Sequence, residues 1–229
     1  MIHANCRARL TADDFEFIVR CLSRSTESAV SLQELLLDPE TRDQILEHDA
    51  LVAAIFDSTD SLKISTPLYF YVLCRRVLKN TSVSSRDAAD YIAAMLDAFV
   101  STRPVAQPET TENADLRYLS DILIAIRNAP PHAAFQLRTY LANYALFLTG
   151  LFSGHIDKRA QRGAPEISFY EELGRSSFRH AAGTREARHL QLHDIFEELA
   201  DGFREARIAL NDLASRLLHL ESPPTPQIE

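Results

Sequence analysis

One stretch of this sequence carries side chains that can bind a metal ion. It reads His189-Leu-Gln-Leu-His193-Asp-Ile-Phe-Glu197, with two histidines and a glutamate at intervals of four residues. Residues at that interval share one face of an α-helix, and imidazole and carboxylate groups are common ligands of divalent metals. The stretch therefore predicts a metal site at His189, His193 and Glu197, of the kind found in a metal-dependent hydrolase or a metal-binding helical bundle.

The same spacing also has a purely structural interpretation. His189 falls on the apolar stripe of the helix predicted here, with His193 beside it and Glu197 nearer to solvent. Metal sites in helical bundles draw ligands from a second helix, and no other predicted helix contains a Glu-x-x-His motif. The pattern favours a buried, hydrogen-bonded His189 with His193 and Glu197 at the surface.

His-Asp dipeptides occur twice, at His48-Asp49 and at His193-Asp194. At these two dipeptides the chain resembles the metal-dependent phosphohydrolases that are named for the pair and are also all-α. The resemblance implies a bound metal and a hydrolytic activity. The separate upstream histidine and downstream aspartate that complete such a site have no assignable counterpart in this sequence.

A second group of candidate functional residues is basic. Residues 155–188 contain seven Lys or Arg and five Asp or Glu, which makes them about +2, whereas the remaining chain is about −10. Arginine binds carboxylates and phosphates through two parallel hydrogen bonds. The region therefore predicts a site for an anion or an acidic protein partner. The residues predicted to form it are His155, Arg159, Arg162, Arg175 and Arg179.

Gly174 lies in the middle of the helix predicted over 168–182. Glycine at such a position costs about 1 kcal/mol relative to alanine, so it indicates either a close helix crossing or room for a ligand. In the structural alternative the helices cross at Gly174, and Arg175 and Arg179 pair with the neighbouring glutamates, Glu171 and Glu172, on a solvated face. The spacing favours this alternative.

Motifs of several common enzyme classes are absent from the chain. Gly-x-Ser-x-Gly, a P-loop and Gly-x-Gly-x-x-Gly do not occur, and no glycine precedes Gly150. A weaker hypothesis is a small-molecule site between helices, lined by aromatic residues. The residues that would line it are Tyr140, Tyr144, Phe169 and Tyr170.

Composition and charge limit the possible classes of function. The chain has 229 residues, of which 46% are apolar and 24% charged, and a formal net charge of −8. This charge argues against a general nucleic-acid binder, which needs a positive surface. The longest hydrophobic segment, 144–152, is shorter than the roughly 20 residues that span a membrane, and the N-terminus lacks the apolar core of a signal peptide. We expect a soluble cytoplasmic protein without a membrane span.

Apolar residues recur at helical spacing through nearly the whole chain, and no alternating strand pattern appears. The sequence therefore predicts an all-α bundle of eight or nine helices. The stretch 101–113, with two prolines, predicts a long loop. We expect one domain over 1–220, with two lobes joined by that loop as the alternative, and a disordered tail at 221–229.

The last predicted helix, 184–220, has the most regular pattern. Its apolar residues follow a 4-3-4-3 spacing, and a continuous helix of this length would be about 50 Å long. It would form either the central spine of the bundle or a dimerisation helix, and small flanking residues favour the spine. The residues of this stripe are Leu192, Phe196, Leu199, Phe203, Ala206, Leu210, Leu213, Leu217 and Leu220.

Taken together, these patterns predict a non-catalytic helical interaction or regulatory protein that forms a homo-oligomer and uses residues 150–188 to bind a protein partner or an acidic ligand. No cofactor is expected. The alternative is the metal-dependent hydrolase or metal-binding bundle described above, which would hold a divalent metal.

Overall fold

The computed structural model describes residues 1–56, 64–100 and 119–217. Within these ranges the protein is all-helical, with thirteen α-helices, a short 3-10 turn at Arg7–Arg9 and no β-strand. The predicted all-α fold is confirmed, but the helices are shorter and more numerous than the eight or nine expected. None of the helices in these ranges has both the length and the apolar content that crossing a bilayer requires. The predicted 101–113 loop and 221–229 tail lie outside the described residues.

The helices are α1 (Ala12–Leu22), α2 (Thr26–Leu35), α3 (Pro39–Leu46), α4 (Asp49–Phe56), α5 (Thr66–Leu78), α6 (Arg86–Val100), α7 (Leu119–Asn128), α8 (Pro131–Leu151), α9 (Ser153–Ala160), α10 (Ile167–Ala182), α11 (Arg185–His189), α12 (His193–Asp201) and α13 (Phe203–Leu217). α8 is central and packs against α7, α10 and α13, while α5 packs against α6.

Most buried apolar residues belong to a single cluster, which includes side chains from both the N-terminal and the C-terminal helices. Tyr91 on α6 illustrates how the two halves meet. Its hydroxyl and the side-chain amide of Asn143 on α8 are mutually hydrogen-bonded, with distances of 2.9 and 3.1 Å. Its ring meets Phe196 on α12 edge to face at 5.3 Å. Because both polar groups are buried and paired, this contact joins three helices without an unsatisfied donor.

The continuous helix predicted over 184–220 is not observed in the part that the structure describes. The chain turns between α11 and α12, where Gln191 adopts a left-handed φ of 56°, and again at Gly202 between α12 and α13. A β-carbon at Gly202 would lie only 2.3 Å from Val83 and 2.6 Å from Ser82. The stripe itself was predicted correctly, since its members from Leu192 to Leu213 are all buried.

Two further glycines allow helices to cross closely. A β-carbon at Gly174 of α10 would lie 2.4 Å from the Phe203 ring and 3.1 Å from Ala145. A β-carbon at Gly150 of α8 would lie 2.9 Å from Leu210. The structure thus supports the helix-crossing interpretation of Gly174, because Phe203 occupies the space that a ligand would have needed.

The N-terminal segment is fixed to the bundle by one arginine. Arg7 donates hydrogen bonds from Nη1 to Asp43 (2.6 Å) and from Nε to Asp90 (3.2 Å), and its Nη2 also bonds Asp87. Its guanidinium lies 5.6 Å from the centre of the Tyr71 ring. Since these partners come from α3, α5 and α6, the Arg7 cluster (Arg7, Asp43, Tyr71, Asp87 and Asp90) ties the first residues of the chain to three helices.

Glu47, just after α3, connects two arginines at the edge of this cluster. Its Oε1 accepts hydrogen bonds from Nε of Arg75 (3.0 Å) and Nε of Arg86 (2.7 Å). Burial alone would raise the pKa of Glu47, but the two arginines outweigh it and hold the pKa below its ordinary value of 4.5. A depressed carboxylate pKa stabilises the fold above the ordinary pKa, and the stabilisation is lost as the pH falls through the depressed value.

We expect Glu47→Gln to lower the free energy of unfolding by about 1–2 kcal/mol at pH 7, because glutamine loses the charge-assisted part of both hydrogen bonds. The difference from wild type should shrink in urea titrations repeated below about pH 4. Glu16→Gln, at an exposed position on α1, is the control and should change stability little. A loss for Glu47→Gln that is equal at both pH values would contradict this account.

Candidate functional site

α9 carries the most exposed part of the predicted basic region. It follows α8 directly, and Ile156 is buried, which turns Lys158 and Arg159 toward solvent. Both cations lie in the last turn, where a positive charge is favoured by the helix dipole. Beyond the helix, Gly163 takes a left-handed φ of 89° and leaves Arg162 exposed in the turn.

These cations differ in their partners from the arginines that join helices, such as Arg7, Arg75 and Arg179. Among the residues that the structure describes, no carboxylate forms an ion pair with Lys158, Arg159 or Arg162. His155 lies half-buried on the same helix. The predicted residues His155, Arg159 and Arg162 are therefore brought together on α9 and its following turn, with Lys158 as an additional member. We call these four residues the α9 basic surface.

Aromatic residues border the α9 basic surface. The pKa of Tyr144 on α8 is raised mainly by burial and also by Tyr170, and Arg159 acts in the opposite direction, which places both groups near its hydroxyl. Tyr144 stacks on Tyr140 at 6.2 Å, and Phe169 meets Tyr170 edge to face at 5.4 Å. The four aromatic residues named from the sequence thus form one pair on α8 and one pair on α10, with Phe169 45% exposed.

Arg179 and Arg175 have different surroundings from the α9 cations. Arg179 bonds Glu197 at 3.0 Å and also Asp201, so it connects α10 to α12. The bond to Asp201 is the main reason that the pKa of Arg179 is raised. Arg175 lies 3.4 Å from Glu172 with both side chains more than half exposed. The predicted pairing with neighbouring glutamates is therefore right for Arg175 and wrong for Arg179.

Glu171, the other glutamate of that prediction, faces a different helix. Its Oε1 lies 2.6 Å from Nε of Arg207 on α13. The two atoms are close enough for an ion pair, but their angles do not meet those of a hydrogen bond. α10 is thus joined by charge to α12 through Arg179 and to α13 through Glu171.

The residues of the predicted metal site lie on two helices rather than one helical face. His189 ends α11 and is exposed, contrary to the expected burial, because the left-handed Gln191 interrupts the helical register. His193 begins α12 and donates from Nδ1 to the carbonyl of Ala182 at 2.9 Å. Glu197 accepts from Arg179. No three His, Cys, Asp or Glu in the described ranges are arranged to hold a metal. The metal site stays a prediction, but the three residues do not share one helical face as their spacing suggested.

Both His-Asp pairs lie where helices begin. His48 precedes α4 and accepts the backbone N–H of Ala50 at its Nδ1 (3.1 Å), while Asp49 pairs with Arg76 at 2.5 Å. His193 is the first residue of α12, but its Nδ1 bonds the Ala182 carbonyl at the end of α10. A local helix-start contact accounts for the position of His48, and a contact between two helices accounts for that of His193.

Two features of the site did not follow from the sequence. Lys158 was visible as a basic residue near a helix end, but its lack of a carboxylate partner within the described ranges depends on tertiary placement. The proximity of Tyr144 and Arg159 likewise arises from the junction between α8 and α9, where one helix follows the other without a connecting loop. Comparisons with protein families, with characterised proteins and with solved structures find no match for this chain.

Proposed function

We propose that this protein is a non-catalytic interaction protein whose α9 basic surface binds an acidic protein partner or an anionic ligand. The observation that carries the proposal is the group of exposed cations on α9 without carboxylate partners among the described residues, on a chain whose net charge is −8. In such a chain a basic patch without carboxylate partners among the described residues attracts acidic partners over distances of about a Debye length.

The contrast with other arginines supports this proposal. Arg7, Arg75, Arg86 and Arg179 all bond carboxylates of the same chain and thereby join helices. Arg159 forms no such bond among the described residues, and Phe169 on α10 exposes part of its ring. Arginine and partly exposed aromatic residues are both enriched at protein interfaces, which favours a partner over a purely solvated face.

The proposal assigns different roles to the basic residues. Arg159 is expected to bind a carboxylate or phosphate group. Lys158 and Arg162 supply positive charge around it, and His155 lies half-buried on the same helix. Arg175 can contribute at the edge, whereas Arg179 is assigned to the contact between α10 and α12.

Reversing the charge of the α9 basic surface should abolish binding of acidic probes. We expect Lys158→Glu/Arg159→Glu/Arg162→Glu to weaken binding of fluorescent poly-glutamate by about tenfold or more, measured by anisotropy at about 0.05 M salt. The reason is the replacement of three attractive charges by three repulsive ones. The melting temperature should change little, because these side chains are exposed and have no ion-pair partner among the described residues.

The matched control is Arg24→Glu/Arg127→Glu/Arg204→Glu, which changes three other exposed arginines and alters the net charge equally. This control should retain at least half of the wild-type affinity. Equal losses in both triple variants would show an effect of net charge alone and would contradict a localised site. Unchanged binding in the α9 variant would also contradict it.

The predicted homo-oligomer loses its original support. The apolar stripe that suggested a dimerisation helix is buried in the chain's own core from Leu192 to Leu213. Oligomerisation and a cytoplasmic location remain predictions.

A further inference from the structure

α2 is a surface helix with little intrachain packing. None of its ten residues is buried, and its main neighbour is α1, against which Ala29 and Leu32 lie half-buried. Ser25 and Ser28 form a capping box at its start. An isolated helix of this length is marginal in water, so the cap and the contact with α1 maintain a helix whose remaining surface is open.

Apolar side chains are concentrated on and just after this helix. Of the nine large apolar residues that are exposed in the described ranges, three lie within residues 30–37: Val30 (53%), Leu35 (48%) and Leu37 (80%). Leu35 also lines an open groove of about 480 Å³ together with Leu22 and Leu32. Three serines and Glu27 form the sides of this groove, which we call the α2 groove.

The surroundings of the α2 groove are acidic. Residues 22–40 contain four exposed carboxylates and one exposed basic residue, Arg24. Glu27 lines the groove directly, and Glu34 lies on the same helix. The carboxylates are Glu27, Glu34, Asp38 and Glu40. Three leucines beside serines and Glu27, with three further carboxylates close by in the chain, are complementary to a segment that carries aliphatic residues between basic ones.

We propose that the α2 groove binds an amphipathic helix of a partner protein, with aliphatic residues on one face and Lys or Arg beside them. Helices dock in such grooves through apolar residues spaced three or four apart. Leu22, Leu32 and Leu35 contact the apolar residues of the partner helix, and Glu27 with the neighbouring carboxylates contacts its basic residues. This site is separate from the α9 basic surface and does not depend on the function proposed for it.

Two synthetic peptides of about four helical turns test the proposal. One carries leucines on one face and lysines on the other, and its counterpart has glutamates in place of the lysines. With the full-length chain, we expect the Leu/Lys peptide to bind at least about tenfold more tightly than the Leu/Glu peptide in fluorescence anisotropy. Equal binding of the two peptides would overturn the assignment of a basic partner.

A matched pair of variants separates apolar docking from simple charge attraction. Leu35→Asp and Val30→Asp add the same charge to the same helix at positions of similar exposure, but only Leu35 lines the groove. We expect Leu35→Asp to bind the Leu/Lys peptide about tenfold more weakly than wild type and Val30→Asp to stay within about twofold. Circular dichroism should be the same for both, since both positions are exposed.

Two outcomes would contradict the proposal. If Leu35→Asp binds the Leu/Lys peptide as well as or better than wild type, the attraction is one of charge and the leucines do not contribute. If light scattering shows a wild-type dimer that only Leu35→Asp converts to monomers, a second copy of this chain occupies the groove instead of a partner helix.

Discussion

Gly174→Ala is expected to lower the free energy of unfolding by about 1–3 kcal/mol, although alanine is the better helix former. The added β-carbon would lie 2.4 Å from two atoms of the Phe203 ring and 3.1 Å from Ala145. Phe203 is only 1% exposed, so its ring cannot move into solvent to make room. The helices α10 and α13 would have to separate. Urea denaturation followed by circular dichroism measures the loss.

Gly154→Ala is the matched control for this experiment. Gly154 also lies in a helix, α9, but a β-carbon there meets nothing within 4 Å. Alanine should therefore stabilise the protein by up to about 1 kcal/mol through helix propensity alone. The two substitutions are chemically identical, so opposite signs would isolate the close crossing as the cause. A Gly174→Ala variant as stable as Gly154→Ala would show that the crossing tolerates the extra atom.

Replacing the Phe203 ring with a smaller side chain should restore part of the stability that Gly174→Ala loses. Phe203→Leu alone is expected to cost about 1–2 kcal/mol, because it leaves space in the core. In Gly174→Ala/Phe203→Leu the added methyl group occupies part of that space. The double variant should be more stable than the two single losses predict, with a coupling of about 0.5–3 kcal/mol. Strictly additive losses would place the cause of the Gly174 effect elsewhere than at Phe203.

The apolar stripe of the C-terminal region shows what could be predicted from sequence. Leu199, Leu210 and their companions are buried as their spacing predicted, because helical periodicity reports which face meets the core. The turn at Gln191 could not be predicted in the same way. It lies in His-Leu-Gln-Leu-His, which contains no glycine or proline, yet Gln191 takes the left-handed conformation that ends α11, with bonds from its N–H to the Arg188 carbonyl and from the Leu192 N–H to the Ala187 carbonyl.

Only part of the candidate site could be predicted, because a sequence shows local charge but not contacts between distant residues. Exposed cations such as Arg159 are visible in a sequence as local charge, but residues 153–166 were expected to form a loop, and the structure places Arg159 on the helix α9 instead. Whether a cation has a partner depends on residues distant in the chain. Arg179 bonds residues 18 and 22 positions away, and Arg7 bonds residues up to 83 positions away. No spacing rule reports such contacts.

The Arg7 cluster should be the second large contributor to stability. We expect Arg7→Met to cost about 3–5 kcal/mol in urea denaturation at pH 7, because removal of one member of a buried ion pair leaves the other charge without compensation. Asp90 is 2% exposed and accepts two hydrogen bonds from Arg7, one from its backbone N–H and one from Nε. Methionine keeps most of the apolar stem that packs near Tyr71, so the lost charge and hydrogen bonds dominate.

Arg76→Met is the matched control. Its partner Asp49 is well exposed, with a side chain 78% accessible, and pairs of this kind contribute about 0–1 kcal/mol. The same chemical change should therefore have a small effect at this site. In Arg7→Met/Asp90→Asn, part of the lost stability should return, because asparagine removes the uncompensated charge. If Arg7→Met and Arg76→Met lower the free energy of unfolding equally, Arg7 contributes no more to stability than an ordinary surface arginine.

The pH dependence of the Arg7→Met effect identifies its cause. Burial raises the pKa of Asp90 already in the wild-type protein, and Arg7 is the main group that opposes this rise. Without Arg7 the pKa rises further, and a carboxylate with a raised folded pKa destabilises the fold as the pH increases through that value. The loss of unfolding free energy in Arg7→Met should therefore be largest near pH 7 and should narrow as the pH falls through the raised pKa of Asp90. A deficit that stays constant over this range would mean that lost packing, rather than an unpaired buried charge, explains the instability.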